Sequence, residues 1–406
     1  MVIGWMTEEI RNIADIYSGG TPSTCNPSYW NGDIIWCTPS DITNQKSKYL
    51  KTTERCITKE GLANSGATLL PKGTLLLCTR ATIGEVVIAT TRVATNQGFK
   101  NLVCRDSFDN EFIYYAIKPL KDEMIKKAHG STFLEISKKS LEDIKINIPI
   151  DKSEQTAVAK ALSDIDDLIT SLEKLIGKKK VIKQGTMQEL LTGKKRLPGF
   201  EGEWNKSTLE QLCYLITKQT GFDYSAEIKP SLVTTNQNGT IPFIQNKDFE
   251  SFSINYDTDF YIPYSIAIKY SKILLDEVCL LISISGRIGN VAVFDNEYTA
   301  FAGGAVGIAK LKDASMAEWC MLYLLSDDGQ KQIFSHEKVG AQHNLTVEDV
   351  RTLEIMIPEE KERKSIIEIL LDMESEIEQL QEKLVKYRKI RQGMMSELLT
   401  GKIRLI

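Results

Sequence analysis

Long apolar runs are missing from this sequence. No stretch approaches the roughly 18 to 20 apolar residues of a membrane span. The opening Met1-Val2-Ile3-Gly4-Trp5 lacks a basic start followed by an apolar signal stretch. The expected location is therefore cytoplasmic. The strings G-x-x-x-x-G-K-[ST] and G-x-G-x-x-G are also missing, which leaves nucleotide hydrolysis and dinucleotide binding without a cradle. Histidine is scarce, and His129, His336 and His343 stand neither at metal-ligand spacing nor beside a nucleophile. The eight cysteines (Cys25, Cys37, Cys56, Cys78, Cys104, Cys213, Cys279 and Cys320) form no C-x-x-C pair and read as reduced, mostly buried side chains. Net positive charge is lacking too, the formal value being −4. Phosphate contact requires Lys and Arg, so a nucleic-acid surface on this chain must be a local one.

What is present is length for two domains, a soluble balance of 42% hydrophobic and 26% charged residues, and a repeat that runs end to end. Trp5 with Ile10, Ile13 and Ile16 matches Trp204 with Leu209, Leu212 and Leu215. Gly32 to Trp36 with Asp41-Ile42 matches Gly239 to Phe243 with Asp248-Phe249. Leu69 through Ile83-Gly84 matches Leu274 through Ile288-Gly289, placing Arg80 and Arg287 close to the same turn, and Ala94 and Gly98 fall on Ala300 and Gly304. Gly130, Ile136, Leu141 and Ile148-Pro149 fall on Gly340, Leu345, Val350 and Ile357-Pro358. The offset drifts only from about 199 to 210, as one duplicated unit with short loop insertions would. The copies differ where Gln97-Gly98-Phe99-Lys100 faces Gly303-Gly304-Ala305-Val306, and where Gly130-Ser-Thr-Phe133 faces Gly340-Ala-Gln-His343. Short β-rich runs such as Leu75 to Cys78 and Leu280 to Ser283, mixed with helical stretches at 112–127 and 316–334, make each module α+β.

Each module ends at Ile-Pro, where a helix of about 40 residues begins. In the second copy Ile366, Leu370, Met373, Ile377, Leu380, Leu384 and Tyr387 alternate in steps of four and three, a coiled-coil seam interrupted at Arg391. In the first, Val158, Leu162, Ile165, Ile169, Leu172 and Ile176 make a stripe that Leu168 and Leu175 widen. Both helices begin acidic (Asp164, Asp166, Asp167; Glu368, Asp372, Glu374) and end basic (Lys178, Lys179, Lys180; Lys386, Arg388, Lys389). A parallel pair sets like charges side by side, so the gradients predict an antiparallel pair with the modules related by a pseudo-twofold. About 35 residues at 1.5 Å each make a rod of roughly 50 Å. Thr400-Gly401-Lys402 with Arg404-Leu405 leads back toward Trp5 as Leu197-Pro-Gly-Phe200 leads to Trp204, which suggests circular closure.

The endings Met187-Gln-Glu-Leu-Leu-Thr-Gly-Lys-Lys-Arg-Leu-Pro-Gly-Phe200 and Met395-Ser-Glu-Leu-Leu-Thr-Gly-Lys-Ile-Arg-Leu405 carry a family resemblance. So do the openings Ser18-Gly-Gly-Thr-Pro-Ser23 and Tyr29-Trp-Asn-Gly-Asp33. With them the chain resembles the specificity (S) subunit of Type I restriction-modification enzymes over nearly its whole length. The resemblance implies an α+β fold of two pseudo-twofold-related target recognition domains joined by a pair of long antiparallel coiled-coil helices. The expected boundaries are 1–150 and 201–358 for the recognition domains, with 151–200 and 359–406 for the helices and linker. It also implies that each domain reads one half of a split double-stranded DNA target, and that the helices set the gap and dock two methyltransferase (M) subunits. S-adenosylmethionine, Mg and ATP then belong to partner M and restriction (R) subunits, and no cofactor to this chain. The second copy departs from the pattern, having Lys218-Gln-Thr-Gly221 for the opening Gly-Gly-Thr-Pro.

No catalytic or metal residue is assigned. Asn26-Pro27-Ser28-Tyr29 approaches the Asn-Pro-Pro-Tyr with which amino-methyltransferases hold a flipped adenine, but it lacks the second proline and a glycine-rich cofactor turn, and it reads as a turn before Trp30. Gly303-Gly304 reads as a tight turn or close backbone approach. Base readout wants Arg or Lys for guanine and Asn or Gln for adenine. The candidate DNA contacts are Lys46, Lys48, Arg80, Asn96, Gln97, Lys100 and Lys127 in the first module, and Lys247, Lys269, Lys272, Arg287, Gln342, His343 and Asn344 in the second. Arg80 and Arg287 stand out because both adjoin the repeated Ile-Gly turn, although a scaffold salt bridge is an alternative for each. Two other classes remain open, a coiled-coil protein scaffold, whose loops should be apolar, and a self-sufficient methyltransferase, which would need the missing cofactor motif; an S-like subunit of a methylation-only or phage-defence system is a variation of the family reading.

Overall fold

A computed structural model describes residues 3–43, 47–130, 134–250, 252–335 and 344–405, Glu250 by its backbone alone. Backbone contacts divide the chain into two units, Met1–Lys174 with Glu382–Ile406, and Leu175–Gln381. Each unit takes half of each long helix, so the compact units cut across boundaries drawn along the linear sequence.

In the first unit the run Leu75–Cys78 and its neighbour Val86–Ala89 are wholly buried, as expected of apolar strands covered on both faces. They pair antiparallel, and Phe99–Cys104 joins Leu75–Cys78 on the other side with Ala14–Ser18 beyond it. A smaller sheet sets Trp30–Cys37 between Arg55–Ile57 and Val93–Thr95. Helix Asn110–Ile117, capped by the Asp109 carboxylate on Phe112 N at 2.9 Å, packs buried against the sheet. The single helix read over 112–127 is instead broken at the turn Lys118–Leu120, where Pro119 supplies no N–H. In the second unit Val306–Leu311 lies between Cys213–Lys218 and Cys279–Ser283, with Val291–Phe294 outermost. The helical stretch read over 316–334 is two helices, Ala317–Leu325 and Asp327–Ser335, parted at Ser326, whose hydroxyl donates to Tyr323 O at 2.6 Å.

The long helices run Lys152–Leu190 and Glu360–Leu398, 39 residues each. Within the first unit their halves run antiparallel, Asp166 meeting Arg391, and Glu173 accepting from Arg388 at 2.7 Å. Within the second, Glu376 accepts from Lys179 at 2.7 Å and Glu374 meets Lys183. Arg391, the interruption in the apolar seam, is thus a half-buried ion-pair position. Leu168 and Leu175 do not widen the buried stripe, being 38% and 39% exposed. Val158, Leu162 and Leu398 share one apolar cluster with Ile10, Phe112 and Ile148. Burial is worth about 1.5–3 kcal/mol per side chain of this size, against about 0–1 kcal/mol for a surface ion pair. The apolar anchors therefore hold the helix ends to the unit, while the charges select direction.

A clasp recurs in both units. Arg404 donates to buried Glu154 through Nε at 2.9 Å and Nη2 at 2.5 Å, and Trp5 Nε1 lies 3.4 Å from the same carboxylate. Arg196 grips buried Glu362 at 2.7 and 2.8 Å, and Trp204 Nε1 donates to it at 3.1 Å. Gly401 at φ 71° and Gly193 at φ 68° turn the chain against Trp5 and Trp204. Arg404 also donates to Ile3 O at 2.9 Å, so in the first unit the end of the chain closes on its beginning. All eight cysteines are free, and burial pushes the Cys78 thiol up to about 11. Among the described residues no helix is long and apolar enough to cross a membrane.

Candidate nucleic-acid interface

Of the polar residues singled out in the sequence, Arg80, Asn96, Gln97 and Lys100 in the first unit and Arg287 and Asn344 in the second stand around one hairpin loop in each unit. In the first, Cys78 and Val86 flank the loop, Gly84 N donates to Cys78 O at 3.0 Å, and Thr79 N donates to Gly98 O at 2.8 Å. In the second, Gly289 N donates to Ser283 O at 3.3 Å and Ile284 N to Ala305 O at 3.0 Å. The bonds Ile136 N to Thr79 O at 3.1 Å and Leu345 N to Ile284 O at 2.8 Å match likewise. Each turn contains a left-handed residue, Ala81 at φ 52° and Gly286 at φ 75°. One backbone frame thus carries both loops.

This frame corrects the residue matching made from sequence. Asn96 N donates to Cys37 O and Gly303 N to Ile244 O, so Gln97 corresponds to Gly304 and Gly98 to Ala305, one place from the earlier alignment. Arg80 corresponds to Ser285, and Arg287 to Thr82, so the two arginines are not equivalent. Glu135 corresponds to Asn344, and Lys100 to Gly307.

At these positions the first unit holds a charged trio. Arg80 Nε donates to Glu135 Oε2 at 2.6 Å, with Nη2 2.6 Å from the same oxygen, and Lys100 Nζ donates to Oε1 at 3.3 Å. Glu135 is held in place by paired backbone bonds with His129 at 2.9 and 3.0 Å. Partial burial opposes its ionisation, but the hydrogen bonds from Arg80 and Lys100 outweigh that and hold its pKa below the usual carboxylate range. Arg80 stays exposed at the loop edge, whereas Lys100 is buried. The second unit replaces all three. Ser285 Oγ donates to the exposed Asn344 Oδ1 at 2.6 Å, and Asn246 Nδ2 donates to Ser285 O at 2.6 Å.

A second exchange lies beside the first. Gly19 cannot be replaced, since an added Cβ would fall 1.8 Å from Asn96 O. Its counterpart is Gln219, since Ser18 pairs with Lys100 as Lys218 pairs with Gly307; it is buried beside Gly304, with neither carboxamide atom bonded to any described residue. Carboxamides stand on Asn96 and Gln97 in one unit and on the opposing strand in the other. Asn96 Oδ1 accepts from Gly98 N at 2.9 Å, and exposed Gln97 accepts from Thr21 Oγ1.

Arg287 apart, which stands in the second loop itself, the other candidates lie away from this edge or are already engaged. Lys48 is turned inward, donating to Glu111 and Ser163 at 2.8 Å each, with Tyr49 and Tyr115 rings about it. Such a lysine braces the sheet against the helix and leaves little of its charge for phosphate. Lys127 pairs with Glu123 at 3.6 Å, Lys247 with Asp259 and Lys269 with Glu227. Lys272 and Arg287 are exposed and make no ion pair among the described residues. Lys46, Gln342 and His343 lie outside the described residues. Asn26 accepts from Ser28 N at 3.1 Å and caps the turn Pro27–Tyr29, which leads into Trp30. Sequence reasoning missed Glu135, Ser285, Asn246 and Gln219. Their signal was position: Asn246 adjoins Lys247, Glu135 adjoins Ile136, Ser285 lies two residues before Arg287, and Gln219 stands within the departing string Lys218-Gln-Thr-Gly221.

A family model described as the Type I restriction modification DNA specificity domain matches the chain twice, at residues 3–184 and 201–386. The MjaIX specificity subunit of a type I restriction enzyme from Methanocaldococcus jannaschii is 28% identical over 99% of this chain and 94% of its own length. The MjaVIII specificity subunit of the same organism is 25% identical over 88% and 83%. Among solved structures, the S subunit of a type I restriction-modification system from M. genitalium aligns with a TM-score of 0.60 at 15% identity, covering 97% of this chain and 96% of that one. The HsdS subunit from Thermoanaerobacter tengcongensis aligns with a TM-score of 0.51 at 14% identity, covering 99% and 98%.

Proposed function

Because the chain belongs to the family of Type I restriction-modification DNA specificity subunits, we propose that each unit reads one half of a split, asymmetric DNA target through its hairpin-loop edge. In this reading the long helices set the unspecified gap and dock two M subunits, which supply S-adenosylmethionine binding and adenine methylation. R subunits, where present, add ATP-driven translocation and cleavage, and the chain itself serves recognition. The observation that carries the reading is the pairwise match of the backbone frame around two loops whose side chains have been exchanged as sets. A duplicated reader with two different targets requires that combination, because phosphate and shape contacts are shared while base contacts must differ. A protein-binding scaffold calls for apolar loops, whereas these edges carry Arg, Asn, Gln and Ser.

The reading is tested by methylome sequencing of cells expressing the chain with its M partner. A split-site adenine methylation that disappears on deletion of the chain is expected. Its absence from the complete strain overturns the reading.

A further inference from the structure

The trio Arg80, Glu135 and Lys100 of the first unit is replaced as a set by Ser285, Asn344 and Gly307 in the second. Were it a scaffold salt bridge, it would be kept with the backbone hydrogen bonds around it, as Thr79 N to Gly98 O is kept in Ile284 N to Ala305 O. The frame is retained and the charged set is exchanged for a neutral one. We infer that these loop positions hold the base-reading side chain of each unit, with Arg80 taking a guanine in one half-site and Asn344 taking an adenine in the other.

The chemistry follows from which edges are left free. A guanidinium offers two parallel N–H forks. Glu135 occupies the Nε and Nη2 fork of Arg80, so the Nη1 and Nη2 fork, unengaged among the described residues, can meet the O6 and N7 acceptors that guanine presents in the major groove. Lys100, buried behind the carboxylate, offsets its charge, so the trio keeps one net positive charge and Arg80 is oriented without being neutralised. Orientation matters because an unheld arginine must lose side-chain freedom on binding. In the second unit Ser285 uses one lone pair of Asn344 Oδ1. Among the described residues the other lone pair and the amide N–H groups have no partner and can meet adenine N6 and N7.

This inference rests on the reading that the chain recognises DNA, and one experiment separates the two. The full chain, assembled with its M subunits, is used to select bound duplexes from a randomised pool. Enrichment of no two-part motif by the unaltered complex overturns the DNA reading itself. Given a motif, Arg80→Gln should lower the preference for guanine at one position of one half by roughly ten-fold or more, leaving the other half unchanged. Arg80→Lys keeps the charge and the carboxylate partner but not the fork. A lysine can still donate to guanine, so it should weaken the same preference without abolishing it, and it serves if Arg80→Gln does not fold. Glu135→Gln should weaken selection at that same position, and Asn344→Ala should relax one adenine of the other half. Unchanged base preferences in these variants overturn the inference, as does affinity lowered uniformly over all sequences, the mark of a phosphate contact. A change spread over both halves overturns it too.

Discussion

Among single residues, the carboxylates of the clasp are more exposed to the consequences of substitution than any surface charge. Glu154 and Glu362 are almost wholly buried, and a buried carboxylate is tolerated because an arginine fork and an indole N–H satisfy it. Removing one partner leaves the other desolvated and alone. Glu362→Ala is therefore expected to lower the thermal midpoint of the second unit by roughly 5–10 °C, followed by circular dichroism. Lys364→Ala, which breaks the exposed pair with Glu360 in the same unit, should leave it almost unchanged. The clasp was half legible beforehand. The repeated Thr-Gly-Lys and the Arg after it were visible, but not their carboxylate partners, because Glu154 lies 250 residues from Arg404 in the chain.

For the elements, the long helices show how charge and apolar spacing divide the work. Alternating steps of four and three place Ile366, Leu370 and Ile377 in the buried face, and the acidic-to-basic gradient makes the antiparallel arrangement the one with opposite charges adjacent. Both features are local, and both were readable. Inserting seven residues after Lys178 and seven after Gln379, on the facing stretch, preserves the heptad pattern. It adds about 10 Å of helix. The expected outcome is a target whose unspecified gap is longer by about three base pairs and whose half-sites are unchanged, read from the methylated motif. An unaltered gap would show that the helices do not set it. The helix breaks at Lys118–Leu120 and Ser326 were less legible, since the apolar pattern continues across both and a single helix fits it equally well.

On the scale of the whole molecule, duplication gives each unit its own sheet, core and loop edge, while the chain's final segment, Glu382–Ile406, is counted with the first unit. Exchange of residues 5–149 for the corresponding segment of another specificity subunit should therefore change one half of the target and spare the other. The readout is the methylated motif, and alteration of both halves would count against modular recognition. The exchanged segment must also supply the indole of the clasp, since Trp5 Nε1 lies 3.4 Å from the Glu154 carboxylate that Arg404 grips and its ring packs against Gly401.

The sequence by itself determined the repeat, the mixed α and β character of each module, and the direction of the helix pair. These follow from periodicity and charge, which act over a few residues and survive in any environment. It also carried the family resemblance, through the doubled helix endings. Only the tertiary structure decided which residues are counterparts around the loops, moving Gln97 onto Gly304 and separating Arg80 from Arg287. It also turned Lys48 inward, brought Glu135 under Arg80, and left Gln219 where Gly19 stands in the other copy. Those relations depend on backbone bonds between segments far apart in the chain, such as Leu345 N with Ile284 O. Counting along the chain cannot register such partners, because loop insertions shift the offset without disturbing the strands that set it.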